Sequence, residues 1–96
     1  MSLNNNQRRK LKGRCHGLSP VVTVADKGLT ENVMAEIENA LDAHQLIKIK
    51  LRGERDVRRG WLERIADASG AVVVQRIGQV ACLFRRNPEK PGLDLD

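Results

Sequence analysis

The chain has 96 residues, 41% of them hydrophobic, which suits one small globular core and excludes both wholesale disorder and a second domain of any size. A formal charge of +5 and a pI near 9.8 point to a polyanion as partner. Trp61 and Phe84 are the only aromatic residues, so recognition of single strands by base stacking has almost nothing to work with.

The elements follow in chain order. Residues 4–16 read as a short polar helix with Leu11 and Cys15 as a thin apolar stripe. Asn4, Asn5 and Asn6 are candidate N-caps and Gly17 a candidate C-cap. Arg8, Arg9, Lys10, Lys12 and Arg14 crowd its remaining surface. No Asp or Glu occurs between residues 1 and 25. A solvated helix normally mixes both signs, so this run tilts towards phosphate contact. Pro20 leads into a strand over Val21 to Val24. Thr30 then caps a helix whose Val33, Ile37, Ala40 and Leu41 share one face, ending at His44 and Gln45.

LIKIKLR, residues 46–52, alternates strictly. Ile47, Ile49 and Leu51 face one way, and Lys48, Lys50 and Arg52 face the other. Those three cations are either a second phosphate patch, with Arg85 or Arg86 as additions, or an ordinary solvent-facing strand. Asp56 is a possible cap for a third helix with Val57, Trp61, Ile65 and Ala68 inside, ended by Gly70. On it Arg55, Arg58, Arg59 and Arg64 interleave with Glu54, Asp56 and Glu63 and read as a solvated face. Residues 71–77 and 80–84 are strands joined by a two-residue loop in which Gly78 supplies a positive φ.

The order α-β-α-β-α-β-β predicts an α/β (α+β two-layer) fold: a mixed four-stranded sheet with two right-handed crossovers, a closing antiparallel hairpin and helices on one face. Residues 1–86 form the single domain, and 87–96, with Pro88, Pro91 and Gly92, form a loose tail.

Ala25-Asp26-Lys27-Gly28-Leu29-Thr30 joins the first strand to the second helix. It offers a flexible glycine, a cation and a helix N-terminus, a combination that can hold a phosphate. Asp-x-Gly is equally common in plain strand-to-helix turns, and the Asp26 carboxylate opposes an anion. No Ser/His/Asp set, metal-ligand spacing or nucleotide-binding loop stands out, so neither catalysis nor a metal or other cofactor is expected. Cys15 and Cys82 could pair, but Cys15 reads first as a small core residue of the first helix. The N-terminus lacks an apolar signal region, which makes the cytoplasm the default location.

Three stretches, LKGRCHGLSPVVTV, KGLTENVMAEIENALDAHQLIKIKL and SGAVVVQRIGQVACLFR, together resemble the YhbY-type bacterial proteins, the stand-alone form of the CRM domain (chloroplast RNA splicing and ribosome maturation). The resemblance runs from about Gln7 to Arg86. It implies a fold similar to the C-terminal domain of bacterial translation initiation factor three, RNA binding, and association with large-subunit ribosomal RNA or precursors of that subunit. It also implies a GxxG loop, similar to that of KH domains, between the first strand and the next helix. Here Ala25 replaces the first glycine of that loop, so close phosphate approach at position 25 is open. Two alternatives stand beside this reading: a sequence-indifferent nucleic-acid binder, and a protein-interaction module on the ribosome whose basic surface steers encounter.

Overall fold

The computed structural model describes residues 3–89 and contains three helices and four strands: α1 Asn5–His16, β1 Pro20–Val24, α2 Glu31–His44, β2 Leu46–Leu51, α3 Arg55–Ser69, β3 Val72–Ile77 and β4 Val80–Phe84. They build one mixed sheet in the order β1-β2-β4-β3, with β1 parallel to β2 and β4 antiparallel to both its neighbours. The expected α+β architecture is therefore present. The closing hairpin folds its last strand into the middle of the sheet, between β2 and β3, so β4 is covered on both edges. Gly78 turns this hairpin with φ 57°, as its position in the sequence predicts.

The expectation that all helices share one face holds for α2 and α3 only. Their Ile37, Leu41, Leu62 and Ile65 pack on Val22, Val24, Ile47, Ile49, Leu51, Ala81 and Leu83. Helix α1 lies on the opposite face, where Leu11 and Cys15 pack with Leu46, Val74, Cys82 and Phe84. The cause is visible in β4. Alternation sends Ala81 and Leu83 to one side and Cys82 and Phe84 to the other, and all four are buried. A central strand that is apolar on both faces needs a cover on both.

Helix α1 starts with a reciprocal cap. The Gln7 amide donates to Asn4 Oδ1 at 2.8 Å, and the Asn4 amide donates to Gln7 Oε1 at 3.1 Å. In α2, Thr30 Oγ1 accepts from the Val33 amide at 3.1 Å, as its position predicts. Helix α3 departs from expectation in two respects. Its N-cap is Glu54, which makes no side-chain cap bond; Asp56 lies in the first turn and pairs with Arg59 at 3.2 Å. Its buried stripe is Leu62, Ile65 and Ser69, while Val57 is 46% exposed and Ala68 is exposed. The helix starts two residues earlier than expected, and Ser69 is accommodated in its buried stripe because its hydroxyl donates to the Ile65 carbonyl and accepts from the Ala71 amide.

Gln45 alone joins α2 to β2. Its φ of 63° is the only positive value among the described non-glycine residues. Its carbonyl accepts from the Arg85 amide and its Oε1 from the Asn87 amide, so the strained residue is tied on both sides. The Arg85 side chain also turns inward. It donates to Glu38 Oε2 at 2.6 Å, to Asp42 Oδ1 at 2.7 Å and to the Ser69 carbonyl at 2.9 Å. Burial alone would lower its pKa, but the hydrogen bonds and charges of Glu38 and Asp42 outweigh this and raise it above the ordinary value. Arg85 is thus a clamp between α2, α3 and the end of β4 and is no addition to the lysine patch. Asn87 is held as well, its Nδ2 donating to the Asp42 carbonyl at 3.0 Å. Residues 90–96 of the expected tail lie outside the described residues.

Candidate nucleic-acid interface

Lys48 and Lys50 do face away from the α2–α3 core, as the alternation in LIKIKLR requires, and Arg52 follows at the strand's end. That puts them on the α1 side of the sheet. Helix α1 covers only half of this face, and its C-terminal end reaches Cys82, the register partner of Lys48. Beyond it the face is open. Val21 and Ile77 are exposed there, and a hollow of about 210 Å³ lined by His16, Lys48, Gln75 and Ile77 follows the helix end. The strip Lys48-Lys50-Arg52 therefore runs from the end of α1 towards the 25–30 loop. Thr23 pairs with Lys50, and the Arg52 amide donates to the Val24 carbonyl at 2.8 Å, one residue before the loop begins.

The expected residues thus fall into one continuous surface. Arg8, Arg9, Lys10, Lys12 and Arg14 are on α1; Lys48 and Lys50 are on the open half of the same face; Arg52, Lys27 and the loop are at its end. Arg8 is partly committed to structure, donating to the Val73 carbonyl at 3.3 Å. Arg9 is exposed and Lys12 half-buried. No Asp or Glu occurs in α1 or in any of the four strands; among the described residues all acids lie in the loops, α2 and α3 or after β4. The helix and strands of the α1 face thus carry cations without carboxylates, whereas the α2–α3 side carries both signs.

The loop itself is held by two backbone bonds, Gly28 amide to Ala25 carbonyl at 2.8 Å and Thr30 amide to Gly28 carbonyl at 3.0 Å. Gly28 takes φ 70°, a left-handed conformation that needs glycine. A Cβ there would lie 3.5 Å from Trp61 Nε1, so the indole supports the loop from beneath. The same ring approaches Gly53 so closely that a Cβ would meet it at 2.9 Å. This support joins residues 33 positions apart and left no local pattern in the sequence. Ala25 does not use a positive φ, so the missing first glycine costs the turn nothing. At the start of α2 the Val33 amide is taken by Thr30, which leaves the Glu31 and Asn32 amides to a ligand or water. Leu29 packs on the core and fixes the loop's base. Asp26 and Lys27 are exposed. With Asp26 and Glu31 against Lys27, the loop and the first residue of α2 together sum to −1, and the positive potential at this end comes from Arg52 and the strip.

Because Gly28 alone carries the left-handed turn, Ala25→Gly is expected to lose about 0.4–1 kcal/mol of stability, through a more flexible unfolded chain, and to leave RNA affinity unchanged. Denaturant melts and RNA titrations of the two proteins check this. A gain of more than about fivefold in affinity, or 1 kcal/mol, would mean that the Ala25 methyl obstructs a phosphate.

The chain is 46% identical over 96 residues to the probable RNA-binding protein PA4753 of Pseudomonas aeruginosa, covering 99% of this chain and 91% of the relative. It is 43% identical over 89 residues to an RNA-binding protein of Haemophilus influenzae, covering 92% and 90% of the two chains. The solution structure of the hypothetical protein SAV1595 from Staphylococcus aureus superimposes with a TM-score of 0.84 at 25% identity, covering 99% of this chain and all of the other. The CRS1 / YhbY (CRM) domain pattern matches residues 3–85. With nearly its whole length matched in sequence and in fold, the chain belongs to the CRS1/YhbY (CRM) domain family.

Proposed function

We propose that this protein binds structured RNA on the face formed by α1 and the open half of the sheet, with no catalytic role. The observation that carries the reading is the separation of charge. Seven Lys and Arg residues on α1 and β2, with no carboxylate among them, adjoin Arg52 and a helix N-terminus. Such a surface neutralises backbone phosphates and positions the protein without reading bases. With Trp61 beneath the loop and Phe84 buried, shape and backbone carry the recognition. The RNA-binding names of the relatives support the class of partner. The resemblance to YhbY-type proteins supports a role in the cytoplasm, on large-subunit ribosomal RNA or its precursor particles, during ribosome assembly.

A salt series tests the interface. Arg9→Ala with Lys12→Ala, Lys48→Ala with Lys50→Ala, and Lys27→Ala are compared with the native chain on large-subunit ribosomal RNA fragments and on duplex DNA. For every phosphate that a variant no longer neutralises, the log–log salt slope should flatten by about 0.7 on single-stranded stretches and about 0.9 on duplex. The two double variants should flatten it more than Lys27→Ala, since Asp26 and Glu31 offset Lys27. Equal affinity for duplex DNA would favour a sequence-indifferent binder. Unchanged slopes, with retained sedimentation on large-subunit precursors, would favour a protein contact on the ribosome.

A further inference from the structure

On the opposite side of the sheet, between the first turns of α3 and the β3–β4 hairpin, lies a pocket of about 430 Å³. Its rim carries four guanidinium groups, Arg55, Arg58 and Arg59 from α3 and Arg76 from β3, over a floor that includes the buried Leu51 and Leu62. The volume lies in the range of small-ligand sites, about 300–1,000 Å³. Spacing on the helix and register on the sheet produce the convergence. Residues 58 and 59 lie one turn beyond residue 55, and Arg76, opposite Ala81, points to the α2–α3 side.

Charge decides what the pocket fits. Arg59 is paired with Asp56. Arg58 donates to the Gly53 carbonyl at 2.7 Å, which orients its guanidinium without neutralising it. No carboxylate among the described residues pairs with Arg55, Arg58 or Arg76. Three uncompensated guanidinium groups around one concavity match a phosphomonoester, which carries about −1.5 to −2, better than a backbone diester with a single charge. The fork geometry of arginine favours the same ligand, and the leucine floor offers an apolar rest for a sugar or base.

We propose that this pocket is a phosphomonoester site, taking the terminal phosphate of a nucleotide, either free or at the 5′ end of an RNA. It lies on the other side of the sheet from the cationic α1 face and uses none of that interface's side chains. The two meet only at the end of the sheet, where the Leu51 amide donates to the Gln79 carbonyl and Trp61 packs against Gly28 and Gly53.

The test uses the full chain in phosphate-free buffer. Adenosine monophosphate and adenosine are titrated against native protein and against Arg55→Gln with Arg76→Gln, followed by amide and guanidinium NMR shifts. A short RNA is then bound with a 5′-phosphate or a 5′-hydroxyl. The monophosphate should shift Gly53, Arg58 and Gly78 in the native chain, adenosine should not, and the double variant should lose the response. A 5′-phosphate preference of about tenfold that vanishes in the variant would assign the ligand to an RNA end. Monophosphate binding without that preference would assign it to a free nucleotide. No shift with the monophosphate, or an equal response to a tetraglutamate peptide, would each overturn the proposal. The variant's melting curve checks that it folds. Nucleotide titration needs no contact with α1 or Lys48, so the pocket is decided even if the RNA face fails its own test.

Discussion

Leu11→Ala is expected to release α1 from the sheet and to weaken RNA binding more than any single charge removal. Leu11 is fully buried, and only Cys15 shares its role along the helix. Truncating a buried leucine costs about 2–5 kcal/mol, including the cavity it leaves. A 12-residue helix with Gly13 in its interior has little stability of its own, even with the Asn4–Gln7 cap. The loss should therefore appear first as local opening of α1, leaving the α2–α3 layer folded. Amide exchange at residues 8–16 should accelerate by a hundredfold or more, about 2.7 kcal/mol, while amides of α2 and of the central strands β2 and β4 hold their protection. RNA affinity at physiological salt should fall by more than tenfold, because five cations lose their fixed spacing. Ile65→Ala is the control. It removes a comparable buried volume from the other layer and should lower global stability without selective exchange in α1. If Leu11→Ala instead raises exchange uniformly across the chain, α1 belongs to one cooperative unit and its docking is no separate variable.

Local signals carried much of this fold. The strict alternation of LIKIKLR placed Lys48, Lys50 and Arg52 on the right side, and the Thr30, Gly70 and Gly78 positions followed from backbone chemistry that acts within four residues. What was not legible depends on strand order. Nothing in VACLF says that β4 enters between β2 and β3, and only that placement demands an apolar cover on each face. Without it, α1 had no reason to leave the other helices. The inward turn of Arg85 has the same origin: its partners Glu38 and Asp42 lie more than 40 residues away and become neighbours only when β4 pairs with β2.

The candidate site shows the same division. A cluster within one segment, such as the cations of α1, can be read directly from the chain. The arginines of α3 read as a solvated face because Glu54, Asp56 and Glu63 alternate with them in sequence, and the proposed pocket has no counterpart in that pattern. In three dimensions only Asp56 pairs with one of the rim arginines, and Arg76 arrives from a different element. The i, i+3, i+4 spacing of Arg55, Arg58 and Arg59 was the available signal, but it gains meaning only once a concavity lies beneath it. At the loop, the sequence left phosphate approach at position 25 open, because it does not show which residue of a turn takes the positive φ. The backbone assigns it to Gly28, and Ala25 fits without strain.

Oxidation of the Cys15–Cys82 pair is expected to have the largest effect on stability. Both residues are buried, their sulfurs face each other between α1 and β4, and the Cα atoms are 6.5 Å apart, a separation that a disulfide spans. The link closes a loop across 67 positions, for which the chain-entropy relation gives about 4 kcal/mol and measured bonds typically give about 2–4. In a domain of this size that corresponds to a rise in Tm of roughly 10–20 °C. Thermal melts of oxidised protein, with and without reductant, measure it, and Cys82→Ala supplies a chain in which reductant should change nothing. The bond also bears on the docking of α1. It tethers the helix one turn from Leu11, so the exchange caused by Leu11→Ala should be strongly suppressed in oxidised protein and fully expressed in reduced protein. Coincident melts for protein shown by mass to be oxidised would mean that the bond constrains a contact the unfolded chain already keeps. Equal exchange in both redox states would mean that α1 opens from its N-terminal end, pivoting on the link, and that Leu11 holds only the half of the helix that carries Arg8, Arg9 and Lys10.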